Sequence, residues 1–135
     1  IHYMVNAAGR NANFLLNVGP MPNGKIQPEF TDTLKAVGVW MEKYGESIYG
    51  TRGNVIAPQA WGVITAKDKV LFVHVLKQDN QPYLFIPSLK EKVLSASFMA
   101  DRSNVKFKQQ PEGLFIYMNR SDSEVTDRII QLKTQ

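Results

Sequence analysis

The sequence predicts a mixed fold: one βα unit, with the tail of an earlier helix attached, followed by an antiparallel β-sandwich of about seven strands. Three observations point there. Phe14, Leu15, Leu16 and Val18 form a short apolar run without alternation, broken only by Asn17. Phe30, Leu34, Val37, Met41, Tyr44 and Ile48 then recur at alternating steps of four and three, the signature of one helix face. After Gly53 the period falls to two, with turn residues at the roughly 8–12-residue spacing of a small all-β unit.

The elements follow in order. Ile1, Met4, Val5 and Ala8 fall at helical spacing. A helix that begins at the first residue, with no initiator Met, no cap and no signal-like segment, reads as part of something longer. The run at 14–18 is apolar on both faces, as expected of a strand covered on both sides. Pro20, Pro22, Asn23 and Gly24 then enforce a loop over 19–27, with Gly supplying positive φ. Pro28 fits the first turn of a helix, and Glu29 and Asp32 suit its positive end. Gly45 fits the left-handed position after a helix, which places the end near Tyr44 and leaves 46–49 for a short extra turn. Trp40 sits beside the stripe. Strands are predicted at 60–65, 70–76, 83–86, 92–99, 105–109, 114–118 and 128–133, with turns at 66–68, 78–80, 103–104, 111–113 and 119–123.

Composition bounds the function. The chain has 135 residues, 44% hydrophobic and 21% charged, which suits one ordinary domain. It contains no apolar run of about 18 residues, so no membrane-spanning helix is expected. With no Cys, disulfides and thiolate metal sites are excluded, while the compartment stays open. Sixteen basic and twelve acidic residues give a net charge of +4. The two signs alternate, as in Lys67-Asp68-Lys69 and Lys90-Glu91-Lys92, so the charge reads as a solvated surface and no nucleic-acid partner is expected.

Two motifs carry a resemblance. The first is Leu15, Leu16, Asn17, Gly19, Pro20, Asn23, Gly24, Ile26 and Pro28; the second is Gly45, Glu46, Ile48, Tyr49, Gly50, Thr51 and Arg52. Together they closely resemble the end of the catalytic barrel in α-L-fucosidases of glycoside hydrolase family 29. The rest of the chain resembles that family's C-terminal β-sandwich. The resemblance implies that residues 1–53 are the end of a (β/α)8-like barrel and 54–135 the C-terminal sandwich. Residues 14–18 would be the last barrel strand, and 19–27 a loop on the barrel's C-terminal face, where such enzymes build their sites. It further implies a hydrolase, a retaining glycosidase acting on fucosylated glycans in carbohydrate metabolism. Such an enzyme is expected in the periplasm, outside the cell or in the lysosome, with any signal peptide outside this chain.

Retaining chemistry needs a nucleophilic and an acid/base carboxylate about 5–5.5 Å apart. In the family both lie on earlier barrel segments, so this chain is expected to hold no catalytic residue and to be inactive alone. Residues within it do not replace them. Glu29 and Asp32 read as helix-dipole partners. His74, mid-strand, reads as a hydrogen-bonded sheet histidine, and His2 has no visible partner. Two isolated histidines make no metal site, and no cofactor is expected. Ser95 and Ser97 have no nearby base. Asn17 is the one polar residue of the apolar run: it ties down the loop or a neighbouring strand, or it supports the sugar pocket. Asn17, Gly19 and Pro20 are the candidate pocket-support residues. Trp40 reads as packing, and Trp61 as a residue of the interdomain seam or a stacking platform. Asn119-Arg120-Ser121 is a glycosylation sequon in an expected loop. One βα unit cannot bury itself, so residues 1–52 are expected to lie against the rest of the barrel or another copy. The rival reading, a non-catalytic carbohydrate-binding or interaction module, leaves the βα unit without a purpose.

Overall fold

The computed structural model describes residues 1–77, 81–118 and 125–135. Its strands are β1 (Gly62–Lys67), β2 (Val70–Val75), β3 (Tyr83–Pro87), β4 (Val93–Phe98), β5 (Lys106–Gln110), β6 (Gly113–Tyr117) and β7 (Arg128–Thr134). All seven expected strands are present, shifted by at most two residues at either end. They form two antiparallel sheets, one ordered β1-β2-β7-β4 and the other β3-β6-β5. The expected turns at 78–80 and 119–123 and the Asn119-Arg120-Ser121 sequon lie outside the described residues.

Register decides which side chains meet. Ile64, Val73, Ile130 and Phe98 stand in one cross-strand row, and Leu71, Leu132 and Ala96 in the next. Facing them, Leu84 pairs with Ile116, and Ile86 with Leu114. These residues form one continuous buried core between the sheets. A side chain of this size contributes about 1.5–3 kcal/mol when fully buried, so this core is the main source of stability.

The other face of the four-stranded sheet mixes apolar residues with the buried polar Thr65, His74 and Gln131, and two helices pack against it. α1 (His2–Gly9) lies over β1, and the C-terminal end of α2 (Pro28–Tyr44) meets the sheet with a 3₁₀ turn (Gly45–Ser47). Val5, Trp40, Val63, Phe72, Met99 and Ile129 make a second buried cluster there. Gly9 allows the close approach: a Cβ at that position would sit 2.3 Å from Val63 Cβ. Residues 52–54 stitch the helical part to the sheet. Arg52 and Ala66 exchange two backbone bonds of 2.8 Å, and Asn54 N donates to Gly9 O at 2.9 Å.

Two expectations of the sequence are corrected. α2 ends at Tyr44 as read, but Gly45 has φ −59° and does not use the left-handed region. The glycine there answers to crowding, since a Cβ would lie 2.8 Å from the Tyr49 ring. The second correction is larger. Residues 14–18 form no strand, and their backbone groups pair with nothing among the described residues. Apolarity does not itself make a strand; cross-strand hydrogen bonds do, and none of the described strands pairs with the segment. Phe14, Leu15 and Leu16 are exposed, Leu15 at 89%, as are Phe30 and Leu34 on the first turns of α2. No helix among the described residues is long and apolar enough to cross a membrane.

Protease should find this difference. Trypsin is expected to cut first at Arg10 or Lys25, which flank the unpaired segment, while the strands resist. Mass spectrometry of early fragments checks it, and cleavage within β1 or β7 ahead of Lys25 would contradict the layering described above.

Candidate functional site

The loop at 19–27 is built by its own turn chemistry. Gly24 N donates to Met21 O at 2.8 Å, closing a turn with Pro22 and Asn23 at its centre. Asn23 Oδ1 accepts from Lys25 N at 3.0 Å, Met21 N donates to Lys25 O at 2.8 Å, and Gly24 takes φ +79°. The chain then enters α2 through Gln27, with Pro28 in the first turn. Asn17, Gly19 and Pro20 precede this turn, all exposed. Asn17 forms no side-chain hydrogen bond among the described residues, and Gly19 has open space where a side chain would stand. Within this chain the three candidates meet no other chemistry-bearing group.

Among the described residues no hydrogen bond or ion pair links a carboxylate to these three. Asp32 faces Lys35 at 3.7 Å on the exposed side of α2. Among the described residues, no three of His, Cys, Asp and Glu converge as a metal site would require. Trp40 is packing, as read, against the Tyr44 ring at 5.5 Å. Trp61 does not reach the helices: its Nε1 donates to Phe85 O at 3.2 Å, so it ties β1's start to the other sheet. His2, which the sequence leaves without a partner, contacts Thr126 O through Nε2 at 2.5 Å.

His74 is a hydrogen-bonded sheet histidine, and its partners form a buried chain. Thr65 donates its hydroxyl to Ser47 O at 2.6 Å. Its oxygen still has lone pairs for His74 Nε2, 3.2 Å away, so Nε2 is assigned as the donor there. His74 Nδ1 meets Asp127 Oδ2 at 2.7 Å. Thr65 and His74 are fully buried and Asp127 is 2% exposed. A Thr–His–Asp row invites comparison with a nucleophilic triad, but the hydroxyl is spent on a backbone carbonyl and no substrate reaches it. What the row does is bind the 3₁₀ turn after α2 to the sheet. Reasoning from sequence missed Asp127, because its partner lies 53 residues away in the chain.

Asp127 also borders a cleft of about 680 Å³ between the sheet edge and Tyr44, walled in part by Asp101, Ser103, Lys106 and Arg128. There the Ser103 hydroxyl and backbone N–H both donate to Asp101 Oδ1, at 2.7 and 3.0 Å, and hold its carboxyl below the usual range.

Comparison with known proteins gives this geometry its context. Residues 1–46 match the family model described as alpha-L-fucosidase. The chain is 35% identical over 77 residues to the tissue alpha-L-fucosidase of Mus musculus, a match covering 57% of this chain and 16% of that protein. It superposes on alpha-L-fucosidase isoenzyme 1 from Paenibacillus thiaminolyticus with a TM-score of 0.86 and 28% identity, covering 99% of this chain and 33% of that one. It shares its fold with a GH29 alpha-L-fucosidase from Bacteroides thetaiotaomicron, trapped as a covalent intermediate with 2-fluoro-fucosyl fluoride. That match has a TM-score of 0.87 and 23% identity, and covers 99% of this chain and 31% of that one. The chain thus spans about a fifth or less of the curated relatives and about a third of the solved chains. In sequence over part of its length, and in fold over nearly all of it, the chain is similar to alpha-L-fucosidases.

Proposed function

We propose that this chain serves, within a longer protein, as the C-terminal part of a retaining α-L-fucosidase that removes α-L-fucose from glycoconjugates outside the cytoplasm. The observation that carries the reading is an overlap. The segment matched by the fucosidase family, 1–46, contains a group of bare apolar residues, Phe14, Leu15, Leu16, Phe30 and Leu34. An apolar surface of this kind is explained by a layer that covers it. In this reading residues 1–53 complete the catalytic barrel, and 54–135 form the β-sandwich behind it. Residues 14–18 become a strand once a neighbouring barrel strand supplies hydrogen-bond partners. Asn17, Gly19 and Pro20 then stand at the C-terminal end of that strand, beside the sugar pocket. The nucleophile and the acid/base come from the remainder of the barrel. A retaining mechanism agrees with the covalent intermediate of the Bacteroides relative.

The 135-residue chain alone should therefore leave an aryl α-L-fucoside at its background rate of hydrolysis. Saturable turnover by the pure chain, abolished by changing a carboxylate within it, would refute the reading. In the complete enzyme, Asn17→Leu should cost about 1–3 kcal/mol, as lost stability or as a raised barrier, because a polar anchor beside the pocket disappears. Melting temperature and kcat/KM measured together decide it, and wild-type values for both would remove Asn17 from the site.

A further inference from the structure

We propose that the outward face of the three-stranded sheet is a glycan-binding surface, selective for anionic polysaccharide. Register places the residues. Tyr83, Tyr117 and Lys106 stand in one cross-strand row; Phe85, Phe115 and Lys108 stand in the next, on the same face. The two rows are about 7 Å apart and the two aromatic columns about 5 Å apart, from ordinary strand geometry. Tyr83 and Phe115 meet edge to face at 5.6 Å, and Phe85 and Phe115 lie 4.7 Å apart. Tyr83 is 39% exposed and Tyr117 44%.

The aromatic strip continues past the sheet edge into a cleft of about 250 Å³, where Trp61 adjoins Tyr83 and Phe85 beside Gln59, Gln81 and Lys77. Rings with amide side chains at their rim offer what a pyranose needs: a flat apolar face to stack on and groups that pair with its hydroxyls. On the face itself the charge is of one sign, with Asp101 and Asp127 in the neighbouring cleft that Lys106 and Tyr117 also line. Lys106 and Lys108 flank the rings on one side and Lys77 on the other, and none of the outward positions of β3, β5 and β6 is acidic. That asymmetry selects a sulfated or carboxylated sugar chain over a neutral one.

Structural roles explain only part of this face. Lysines on β5 guard an edge strand, and cross-strand aromatic pairs strengthen a sheet. Neither role needs tyrosines left open to solvent or a contiguous cleft. A second copy is a poorer occupant, since four partly exposed rings offer far less than the ~800 Å² per partner of a stable protein interface. Within this chain the helices pack on the other sheet, and only Tyr44, at the end of α2, shares a cleft with Tyr117 and Lys106.

The test uses this chain, without any fucoside, so its result is independent of the fucosidase reading. Dextran sulfate, neutral dextran and poly-L-glutamate are titrated against the protein, with binding read by Trp fluorescence. Dextran sulfate is expected to bind saturably and most tightly. The pair Tyr83→Ala with Tyr117→Ala should lower that affinity at least about tenfold, the loss expected for central aromatic contacts. Lys106→Gln with Lys108→Gln should weaken dextran sulfate binding while leaving dextran unchanged. Circular dichroism melts establish that both variants are folded. Four results would overturn the proposal: no saturable binding to dextran sulfate, equal affinity for poly-L-glutamate, full affinity in a folded tyrosine variant, or a dimer in sedimentation equilibrium that the tyrosine variant dissolves.

Discussion

Replacing His74 with Leu is expected to cost about 3–5 kcal/mol, the loss typical of breaking a buried His–Asp contact by removing one partner. The geometry explains why the effect is large. His74 Nδ1 is the one side-chain partner of Asp127, through Oδ2, while Oδ1 has no partner among the described residues. Without the ring, a carboxylate 2% exposed keeps no partner at all. Thr65 loses a contact as well, although its bond to Ser47 O survives. The double variant His74→Leu/Asp127→Leu should recover much of the loss, because an apolar pair of similar volume leaves nothing unsatisfied. Urea denaturation of the four proteins in this cycle supplies the coupling directly. A single-variant cost under about 1 kcal/mol would mean that Asp127 is not confined as described.

Phe72→Ala is the second large effect, again about 3–5 kcal/mol. Phe72 is 1% exposed and lies in the cluster beneath the helices, with Val5, Trp40, Val63, Met99 and Ile129. Its removal opens a cavity in the layer that holds α1 and the end of α2, not between the sheets. Leu132→Ala, a cavity in the inter-sheet core, provides the contrast. Both variants should lose stability, but Phe72→Ala should additionally speed hydrogen exchange of α1 and of the last turn of α2 relative to β6. If exchange rises equally everywhere, the helices and sheets form a single cooperative unit and the second cluster is no separate layer.

Most of the fold was legible because most of it is local pattern. Val105-Lys106-Phe107-Lys108 alternates, and β5 forms there with Phe107 turned toward the core. Pro28 and the four-three stripe marked the start of α2 and its end near Tyr44, although the stripe ran on to Ile48, beyond the helix. What failed was what depends on partners. The segment 14–18 has a strand's composition but no neighbour to make it one, and neither period nor propensity carries that information. Trp61 was read as a seam residue or a stacking platform, yet its hydrogen-bond partner, Phe85 O, lies on the other sheet. The site was less legible still. Asn17, Gly19 and Pro20 rest on resemblance, because all three are exposed and Asn17 makes no side-chain hydrogen bond among the described residues. Asp127 was invisible because its meaning comes only from burial beside His74.

The position of β7 sets a timetable for assembly. Last in sequence among the seven strands, it lies between β2 and β4, which do not pair with one another. Until β7 emerges from the ribosome, the hairpin of β1 and β2 has a bare edge and β4 has no place in its sheet. Helices α1 and α2 emerge early but rest on a surface that includes Ile129, a residue of that final strand. Closing β2 on β7 means bringing together residues more than fifty positions apart, the non-local pairing that slows folding. The first half of this chain is therefore obliged to wait, with apolar surface open, through nearly the whole of its own synthesis. That interval is when a chaperone has the most to hold.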